Sequence, residues 1–207
     1  HFVENAAHEV QTPLAVCMNK LELLSEHPDC TEDQLKEIAG LHQALKGIIR
    51  LNKSLLLLSR IDNKQFPETR DICLNHLIHK ILEGINDIYE RKALHLRVSE
   101  KESLVCTMNE SLATTLITNL IKNAYVHNYE KGDIGITISR CMLTISNTGI
   151  DKTLDKELLF ARFASQSKQQ ESTGLGLAIV KSIVDLYSIR IDYQYANGMH
   201  TFTLLFY

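Results

Sequence analysis

Residues 5–14 read Asn-Ala-Ala-His-Glu-Val-Gln-Thr-Pro-Leu and determine how the N-terminal part of the chain is organised. Apolar residues recur through and around this stretch at alternating spacings of four and three, which predicts a helix with a heptad seam. The seam comprises Val3, Ala7, Val10, Leu14, Cys17, Leu21 and Leu24. The stretch therefore predicts one arm of a helical bundle.

Two polar residues of this helix, His8 and Thr12, fall off the apolar seam. Because they are one helical turn apart, they share an outward face, with Cβ atoms about 5–6 Å apart. Pro13 follows, and a proline inside a helix typically destabilises it by about 3 kcal/mol. We therefore expect the distortion that Pro13 causes beside His8 to serve a function. One interpretation of His8 is an ordinary surface histidine. The other is a phosphoacceptor, since a neutral imidazole is nucleophilic and Glu9 could accept a hydrogen bond from its second nitrogen.

The composition restricts the classes of protein to be considered. With 207 residues, the chain is long enough for one or two domains with a substantial core. A net charge of −3 and the absence of a long basic run argue against a nucleic-acid partner. No apolar run approaches the ~20 residues of a membrane span, and no signal peptide is recognisable. We expect a cytosolic fragment of a longer protein.

The cysteines are five in number, and their spacing contains no C-x-x-C pair. They are Cys17, Cys30, Cys73, Cys106 and Cys141. An odd number of widely spaced cysteines predicts reduced, buried thiols and argues against a zinc site.

A second helix is predicted over residues 31–62, with Thr31 as its N-cap and acidic residues in its first turn. The turn around Pro28 joins the two helices into an antiparallel hairpin. One hairpin cannot cover both of its apolar seams, so we expect a homodimer that forms a four-helix bundle. The alternative is a monomeric hairpin packed on the chain's own second domain.

Beyond Pro67 the pattern changes to short strands interspersed with helices. Strands are predicted at 69–74, 94–98, 104–107, 134–139, 142–146, 189–195 and 200–206, and helices at 75–91, 109–128, 154–160 and 175–187. The last two strands meet at Asn197-Gly198, a hairpin turn signal. Mainly antiparallel strands with helices between them predict an α/β sandwich whose sheet is covered on one face.

Two asparagines in the helix predicted at 109–128 indicate a use beyond structure. Asn119 and Asn123 are four residues apart and share a face, although asparagine is a weak helix former. Amide oxygens are suitable ligands for Mg²⁺, which keeps several of its waters. The alternative is that both amides simply face solvent.

Further along the chain, glycines and aromatic residues recur in a fixed order. Asn147-Thr148-Gly149 ends a strand, Phe160 and Phe163 follow, and Gly174-Leu175-Gly176-Leu177 opens a helix. Glycines let the backbone approach phosphate oxygens, and a helix N-terminus adds free N–H groups and a favourable dipole.

In this order, the motifs resemble the transmitter of sensor histidine kinases of two-component systems. Residues 8–13 resemble the H-box, 119–123 the N-box, 147–149 the G1 box and 174–177 the G2 box, with Phe160 and Phe163 as the F-box. The resemblance implies two domains. Residues 1–65 would form the dimerisation and phosphoacceptor hairpin, and residues 66–207 the ATP-binding fold shared with gyrase and the Hsp90 chaperones.

The resemblance also implies roles for the residues of the H-box and N-box. His8 would be phosphorylated, Glu9 would polarise it, and Thr12 would position a water when a phosphorylated response regulator is hydrolysed. Asn119 would lie where ATPases of this fold carry a glutamate base. Asn123 would bind the Mg²⁺ that bridges the ATP phosphates.

The remaining nucleotide contacts follow from the same resemblance. Asn147 would face adenine, and Gly149 would leave space for it. Residues 164–173 would form the ATP lid. The other contacts with ATP would come from His127, Phe160, Phe163, Lys168, Gly174, Leu175, Gly176 and Leu177.

Several residues depart from the family pattern. Asn147 replaces an aspartate, Asp151 and Ser172 replace glycines, and Lys168 would take over the phosphate contact of a basic residue otherwise found after the F-box. The expected function is autophosphorylation of His8 and transfer to an aspartate of a response regulator, with phosphatase activity toward it. The alternative is a weakened kinase that acts as a regulator phosphatase or scaffold. The resemblance implies the cytoplasmic portion of a bacterial sensor, anchored in the inner membrane through an N-terminal sensor segment outside this sequence.

Overall fold

The computed structural model describes residues 2–163 and 174–207, apart from the side chains of residues 2–8 and Asn86. It begins with two long helices, α1 (Phe2–Ser25) and α2 (Glu32–Asp62), which pack together as a hairpin. Among the described residues, none of the helices has the length and apolar character needed to cross a bilayer.

The N-terminus of α2 has the predicted cap. The Thr31 hydroxyl accepts a hydrogen bond from the backbone N–H of Gln34, at 3.3 Å, and the Gln34 side chain accepts one from the backbone N–H of Thr31, at 2.9 Å. This reciprocal pair is a capping box, which satisfies two N–H groups that the helix cannot. Pro13 lies inside α1, as predicted.

After the hairpin, helices and strands alternate. In chain order they are β1 (Arg70–Cys73), α3 (Leu74–Tyr89), a 3₁₀ turn (Glu90–Lys92), β2 (His95–Glu100), β3 (Val105–Met108), α4 (Glu110–Val126), β4 (Asp133–Ser139), β5 (Met142–Thr148), α5 (Lys156–Leu159), α6 (Gly176–Leu186), β6 (Arg190–Ala196) and β7 (Met199–Leu205).

The strands form two sheets. The larger has five strands in the order β2-β4-β5-β7-β6, and the smaller pairs β1 with β3. All pairs are antiparallel except β2 with β4, which is parallel. Asn197 and Gly198, between β6 and β7, both have positive φ, at 53° and 75°, as a tight hairpin turn of the predicted kind requires.

The core lies between α3, α4 and α6 and one face of the larger sheet, so the predicted α/β sandwich is confirmed. Along β4 and β5 every second residue is buried, and α4 contributes Leu112, Leu116 and Leu120. The C-terminal end of α2 joins this core, where Leu58 and Ile61 are buried and α2 contacts α6. The hairpin is therefore packed against the second half of the chain.

Two predictions on this part of the chain need correction. Asn75 was expected to begin a helix, but α3 begins at Leu74, and the Asn75 amide instead donates to Glu100 Oε2, at 2.7 Å, and to the Glu102 carbonyl. The cysteines are free, as predicted, but none is buried: Cys17 and Cys141 are exposed, and Cys30, Cys73 and Cys106 are half-buried. The predicted burial was therefore wrong, and for Cys17 the reason is that the single hairpin leaves this part of the seam uncovered.

Candidate functional site

The helix α4 presents the two asparagines of the N-box. Its N-cap is Asn109, the residue at which the helix was predicted to begin, and the Asn109 side chain accepts from the backbone N–H groups of Ser111 and Leu112. Asn119 and Asn123 are half-buried on the same face of the helix. The Asn119 amide donates to the carbonyl oxygen of Thr115 at 2.8 Å, which fixes its orientation.

The start of α6 lies directly against Asn119. A Cβ atom added to Gly176 would be 3.0 Å from Asn119 Oδ1, so only glycine fits without displacement. Gly174 has a positive φ of 68°, and its carbonyl accepts from the N–H of Phe163 at 3.1 Å. Leu175 is fully buried and anchors this turn, and Leu177 is half-buried. The structure therefore brings the N-box and the G2 box together.

The G1 segment lies at the end of β5. Asn147 is 2% exposed, on the same side of the sheet as Ile145, and its Nδ2 donates to the Thr148 carbonyl oxygen at 2.8 Å. A Cβ atom on Gly149 would stand 3.0 Å from the His200 ring and 3.1 Å from the His127 carbonyl oxygen. A side chain here would collide with both groups, so the close packing around this position requires glycine.

A network of buried hydrogen bonds holds the G1 segment, residues 147–149, in place. The Thr148 hydroxyl donates to Asn128 Oδ1 at 2.6 Å and accepts from the Asp133 N–H at 2.9 Å. The Asn128 amide donates to the Asp133 carbonyl at 3.0 Å. A Cβ atom on Gly132 would be 2.0 Å from Asn128 Oδ1, so the network requires glycine there.

Lys92 holds the C-terminal end of α4. Its ammonium group donates to the carbonyl oxygens of Tyr125, Val126 and Asn128 at 2.8–3.0 Å. A cation at this position also interacts favourably with the negative end of the helix dipole. The pKa of His127, which follows α4, is lowered from its ordinary value by burial first, then by the charge of Lys92 and by His200. The residue as a whole is exposed, so part of its surface still contacts solvent.

His200 is a buried residue of the site that the sequence did not single out. One ring nitrogen, Nδ1, lies 2.7 Å from the Tyr193 hydroxyl, and the other, Nε2, lies 2.9 Å from the Ile150 carbonyl oxygen. The Tyr193 hydroxyl accepts from the Leu154 N–H at 3.3 Å. His200 therefore ties the segment after Gly149 to β6 and β7. The available signal was a histidine at an inward position of an alternating strand.

The two aromatic residues of the F-box have different environments. Phe160 is half-buried and packs against the core, whereas Phe163 is 59% exposed and has a positive φ of 66°. Between them, Arg162 forms an ion pair with Asp62 at the end of α2, at 2.9 Å. Lys168, Ser172 and the rest of the predicted lid lie outside the described residues.

The residues of the predicted phosphoacceptor motif lie on α1. The backbone of His8 is helical, and its side chain lies outside the described part of the structure. Glu9 and Thr12 are both exposed, as expected for an outward face. Within the described side chains, no group of three or more His, Cys, Asp and Glu residues is arranged to hold a metal ion.

The described residues fit a nucleotide better than a protein-enclosed metal. The site offers one half-buried amide at Asn123 and the start of α6 at Gly176. A single amide oxygen suits Mg²⁺, which retains waters and binds largely through substrate phosphates. The Asn123 amide has the chemistry that such a contact requires.

Two domain families match the chain. Residues 1–64 match the His Kinase A (phospho-acceptor) domain, and residues 108–206 match the Histidine kinase-, DNA gyrase B-, and HSP90-like ATPase domain. The first match contains His8, and the second contains all of α4, β4–β7 and α6.

Relatives of known name align with the whole chain. It is 34% identical over 216 residues to the heme sensor protein HssS of Staphylococcus saprophyticus, covering 100% of this chain and 46% of HssS. It is also 34% identical over 213 residues to HssS of Staphylococcus aureus strain Newman, covering 99% of this chain and 46% of that protein. The chain thus spans about half the length of these relatives.

Solved structures share the fold at lower sequence identity. Full-length ShkA, crystallised with AMPPNP, superposes with a TM-score of 0.75 at 17% identity, covering 99% of this chain and 46% of ShkA. The histidine kinase AdeS of Acinetobacter baumannii superposes with a TM-score of 0.66 at 21% identity, covering 95% of each chain. With a phosphoacceptor domain followed by an ATPase domain, the chain belongs to the sensor histidine kinases and comprises their transmitter region.

Proposed function

We propose that this chain autophosphorylates His8 with ATP and passes the phosphoryl group to an aspartate of a response regulator. The observation that carries the proposal is the contact between Gly176 and Asn119, which joins the N-box face of α4 to the glycine-rich start of α6. Such a junction offers backbone N–H groups to phosphates on one side and amide ligands on the other. The match of residues 1–64 to the phospho-acceptor domain family supports His8 as the acceptor.

The nucleotide site would use each of the motifs that surround it. Asn123 would hold Mg²⁺, Gly174 and Gly176 would allow close approach of phosphates, and Asn147 would face adenine above Gly149. ATP with Mg²⁺, when bound, supplies the transferable phosphoryl group and neutralises part of its charge. The nucleotide would be bordered by His127, Phe160, Phe163, Lys168, Leu175 and Leu177.

At the acceptor, Glu9 would hold one nitrogen of the His8 ring as a hydrogen-bond donor and leave the other free to attack. Alignment of His8 with the phosphoryl group would supply most of the rate, because little proton transfer is needed. The ATP domain would have to move relative to the hairpin to bring the two together. Thr12 would position a water for hydrolysis of the phosphorylated regulator.

The apolar surface of the hairpin supports a homodimer. Several large apolar side chains of α1 and α2 are exposed in the single chain, namely Val10, Val16, Leu23, Leu24, Leu35, Leu41 and Ile48. A second hairpin would cover them in a four-helix bundle. We place the domain boundary at residues 65/66 and propose that the chain is the cytoplasmic portion of a membrane-anchored sensor.

The departure at Asn147 does not favour the weakened-kinase alternative. The Asn147 amide nitrogen is used by the Thr148 carbonyl, so its oxygen remains as the acceptor that an aspartate would offer. This arrangement supports ATP binding without the carboxylate.

Incubation with γ-labelled ATP tests the proposal. We expect acid-labile label on the chain and its loss in His8→Gln. Mixed Asn123→Ala and His8→Gln subunits would show whether one subunit labels its partner. No label at saturating ATP, with regulator dephosphorylation intact, would favour the phosphatase or scaffold alternative. Phosphate release that continues in His8→Gln would indicate a simple ATPase.

A further inference from the structure

Asp151 lies at the centre of a tight turn, at a position where the family pattern has glycine. The Lys152 N–H donates to the Ile150 carbonyl oxygen at 2.7 Å, so residues 150–152 form a γ-turn. Asp151 is not among the residues with positive φ in the described part of the chain. The turn therefore does not need glycine, and this chain can carry a side chain where the family pattern has none.

The Asp151 carboxylate is held by a residue of the sheet. The half-buried Tyr195 of β6 donates a hydrogen bond from its hydroxyl to Asp151 Oδ1. This bond, followed by burial, raises the pKa of Tyr195, so the hydroxyl keeps its proton and remains a donor. The Tyr195 ring lies beside the ring of His200, its cross-strand partner in β7, with 4.8 Å between the ring centroids. The hydroxyl is therefore held in place from the side of the sheet.

Two further side chains hold the backbone around this turn. The carbonyl oxygen of Ile150 can only accept, so the His200 Nε2, at 2.9 Å, donates to it. In the neutral ring Nδ1 then accepts from the Tyr193 hydroxyl at 2.7 Å. The same hydroxyl accepts from the Leu154 N–H at 3.3 Å. Side chains of β6 and β7 thus hold the segment 150–154 near both of its ends.

The segment 150–154 connects two parts of the candidate nucleotide site. It follows Gly149 and precedes α5 and Phe160. His200 is the cross-strand partner of Asn147, so the hydrogen bonds that hold the segment lie at the end of the sheet that carries the G1 segment. A segment that is already held in one conformation loses less freedom when a ligand binds beside it.

We infer that Asp151 and Tyr195 are positioning residues for ATP, and that their hydrogen bond holds the segment 150–154 in the conformation that receives the nucleotide. This inference rests on the proposed function, in which ATP binds between the G1 segment and the start of α6. Neither residue has to contact ATP. Loss of the bond should raise the KM for ATP and leave the rate at saturation unchanged, because His8 and the bound phosphates are unaltered.

Tyr195→Phe tests the inference, since it removes the hydroxyl and keeps the ring beside His200. We expect the affinity for ATP with Mg²⁺, measured by calorimetry in the His8→Gln chain, to fall by about three- to fivefold. The KM for ATP in labelling of His8 should rise by the same factor, with an unchanged maximal rate. Backbone hydrogen exchange of residues 150–154 should become faster in the chain without nucleotide.

Substitutions of Asp151 separate the hydrogen bond from the charge. Asp151→Asn keeps an oxygen that can accept from Tyr195, so ATP affinity should stay within about twofold of the parent chain. Asp151→Gly restores the family residue and removes the acceptor, so it should lower ATP affinity by as much as Tyr195→Phe. The combined variant should be no weaker than Asp151→Gly alone, because both changes remove one and the same bond.

Tyr187→Phe is the matched control, because Tyr187 also has a hydroxyl with a hydrogen bond, which it accepts from the Asn109 N–H at 3.0 Å. This bond lies outside the segment 150–154. The variant should lower the melting temperature and leave both the ATP affinity and the hydrogen exchange of residues 150–154 unchanged.

The inference and the proposed function fail differently. ATP affinity equal to that of the parent chain in Tyr195→Phe or in Asp151→Gly would overturn the inference and leave the kinase intact. A lower maximal rate at an unchanged KM, or unchanged hydrogen exchange of residues 150–154, would overturn it as well. Absence of ATP binding in the parent chain, together with no labelling of His8, would overturn the proposed function and the inference with it.

Discussion

Gly176, the first residue of α6, lies so close to Asn119 in α4 that a Cβ atom would stand 3.0 Å from the Asn119 amide oxygen. Asn119 cannot easily give way, because its nitrogen is bonded to the Thr115 carbonyl at 2.8 Å. The contact fixes the distance between the helix that carries the amides and the helix that would approach the phosphates.

Gly176→Ala should therefore weaken nucleotide binding more than it affects folding. Alanine is favoured over glycine in a helix by up to about 1 kcal/mol, which offsets part of the steric cost. We expect an unfolding free energy within about 1 kcal/mol of the parent chain and a five- to tenfold loss of ATP affinity by calorimetry. Gly84→Ala in α3 is the control, since nothing lies within 4 Å of its added Cβ. It should stabilise the chain slightly and leave affinity unchanged; equal ATP affinity in both variants would contradict the prediction.

Lys92 should be important for stability although it is a charged residue. It donates to three carbonyls at the end of α4, and hydrogen bonds to charged groups contribute about 1.5–3 kcal/mol each at most. Because such contributions are not additive, we expect Lys92→Met to lower the unfolding free energy by about 2–3 kcal/mol in urea titrations. Lys181→Met removes an exposed pair with Asp185 and should change it by less than about 0.5 kcal/mol. If Lys92→Met lowered the unfolding free energy by as little as Lys181→Met, the three carbonyls would be satisfied without Lys92.

His127 should make stability depend on pH. Its pKa is lowered in the folded chain, by burial first and then by Lys92 and His200, so the unfolded chain takes up a proton at a higher pH than the folded one. The stability contributed by the neutral ring is fully present when the pH is above the ordinary histidine pKa of about 6.5. It is lost as the pH falls below that pKa. Ring resonances followed by NMR should show His127 titrating below that value, and Lys92→Met should raise it. A His127 pKa unaffected by Lys92→Met would leave burial and His200 as the causes of the shift.

Local signals in the sequence predicted the elements that depend on neighbouring residues. Thr31 with Gln34 forms its capping box, Asn109 caps α4, and Asn197-Gly198 forms the hairpin turn. In each case the interacting residues are within four positions of one another, so their spacing in the sequence is enough to predict the local geometry. The spacing of Asn119 and Asn123 on one helix face was predictable for the same reason.

The features of the fold and the site that could not be predicted from the sequence depend on contacts between residues far apart in the chain. The parallel pairing of β2 with β4 and the contact of Gly176 with Asn119 are set by packing, which no local pattern specifies. Cys17 follows an apolar seam in sequence yet is exposed, because the seam has no cover in the single chain. The alternation of β7 indicates that His200 faces inward, but its partners Tyr193 and Ile150 are set by packing and follow from no local pattern.

His200 is expected to position the segment that follows Gly149. His200→Phe would keep much of the ring volume but leave the Tyr193 hydroxyl and the Ile150 carbonyl without their partner. We expect a loss of about 2–3 kcal/mol in unfolding free energy and weaker ATP binding. His200→Gln, which can both accept and donate, should recover part of both. His95→Gln, at an exposed position of β2, should change neither quantity. A His200→Gln variant no better than His200→Phe would show that packing alone accounts for the residue.

The ion pair between Asp62 and Arg162 joins the end of α2 to the segment that follows Phe160, at 2.9 Å. Both side chains are about half exposed, so the pair should contribute no more than about 1 kcal/mol and should weaken in high salt. It stabilises the arrangement in which the second half of the chain rests on the end of the hairpin. Under the proposed function, that half would have to move for phosphoryl transfer to His8.

We therefore expect charge reversal of either partner, in Asp62→Arg or Arg162→Asp, to raise the initial rate of His8 labelling by up to about fivefold, because the resting arrangement is lost. The double reversal should restore both the pair and the parental rate. Lys156→Asp, which reverses one partner of an exposed pair with Asp192 within the second half of the chain, is the matched control and should leave the rate unchanged. Single reversals that lower the rate, with the double reversal restoring it, would instead assign the pair to the arrangement active in transfer.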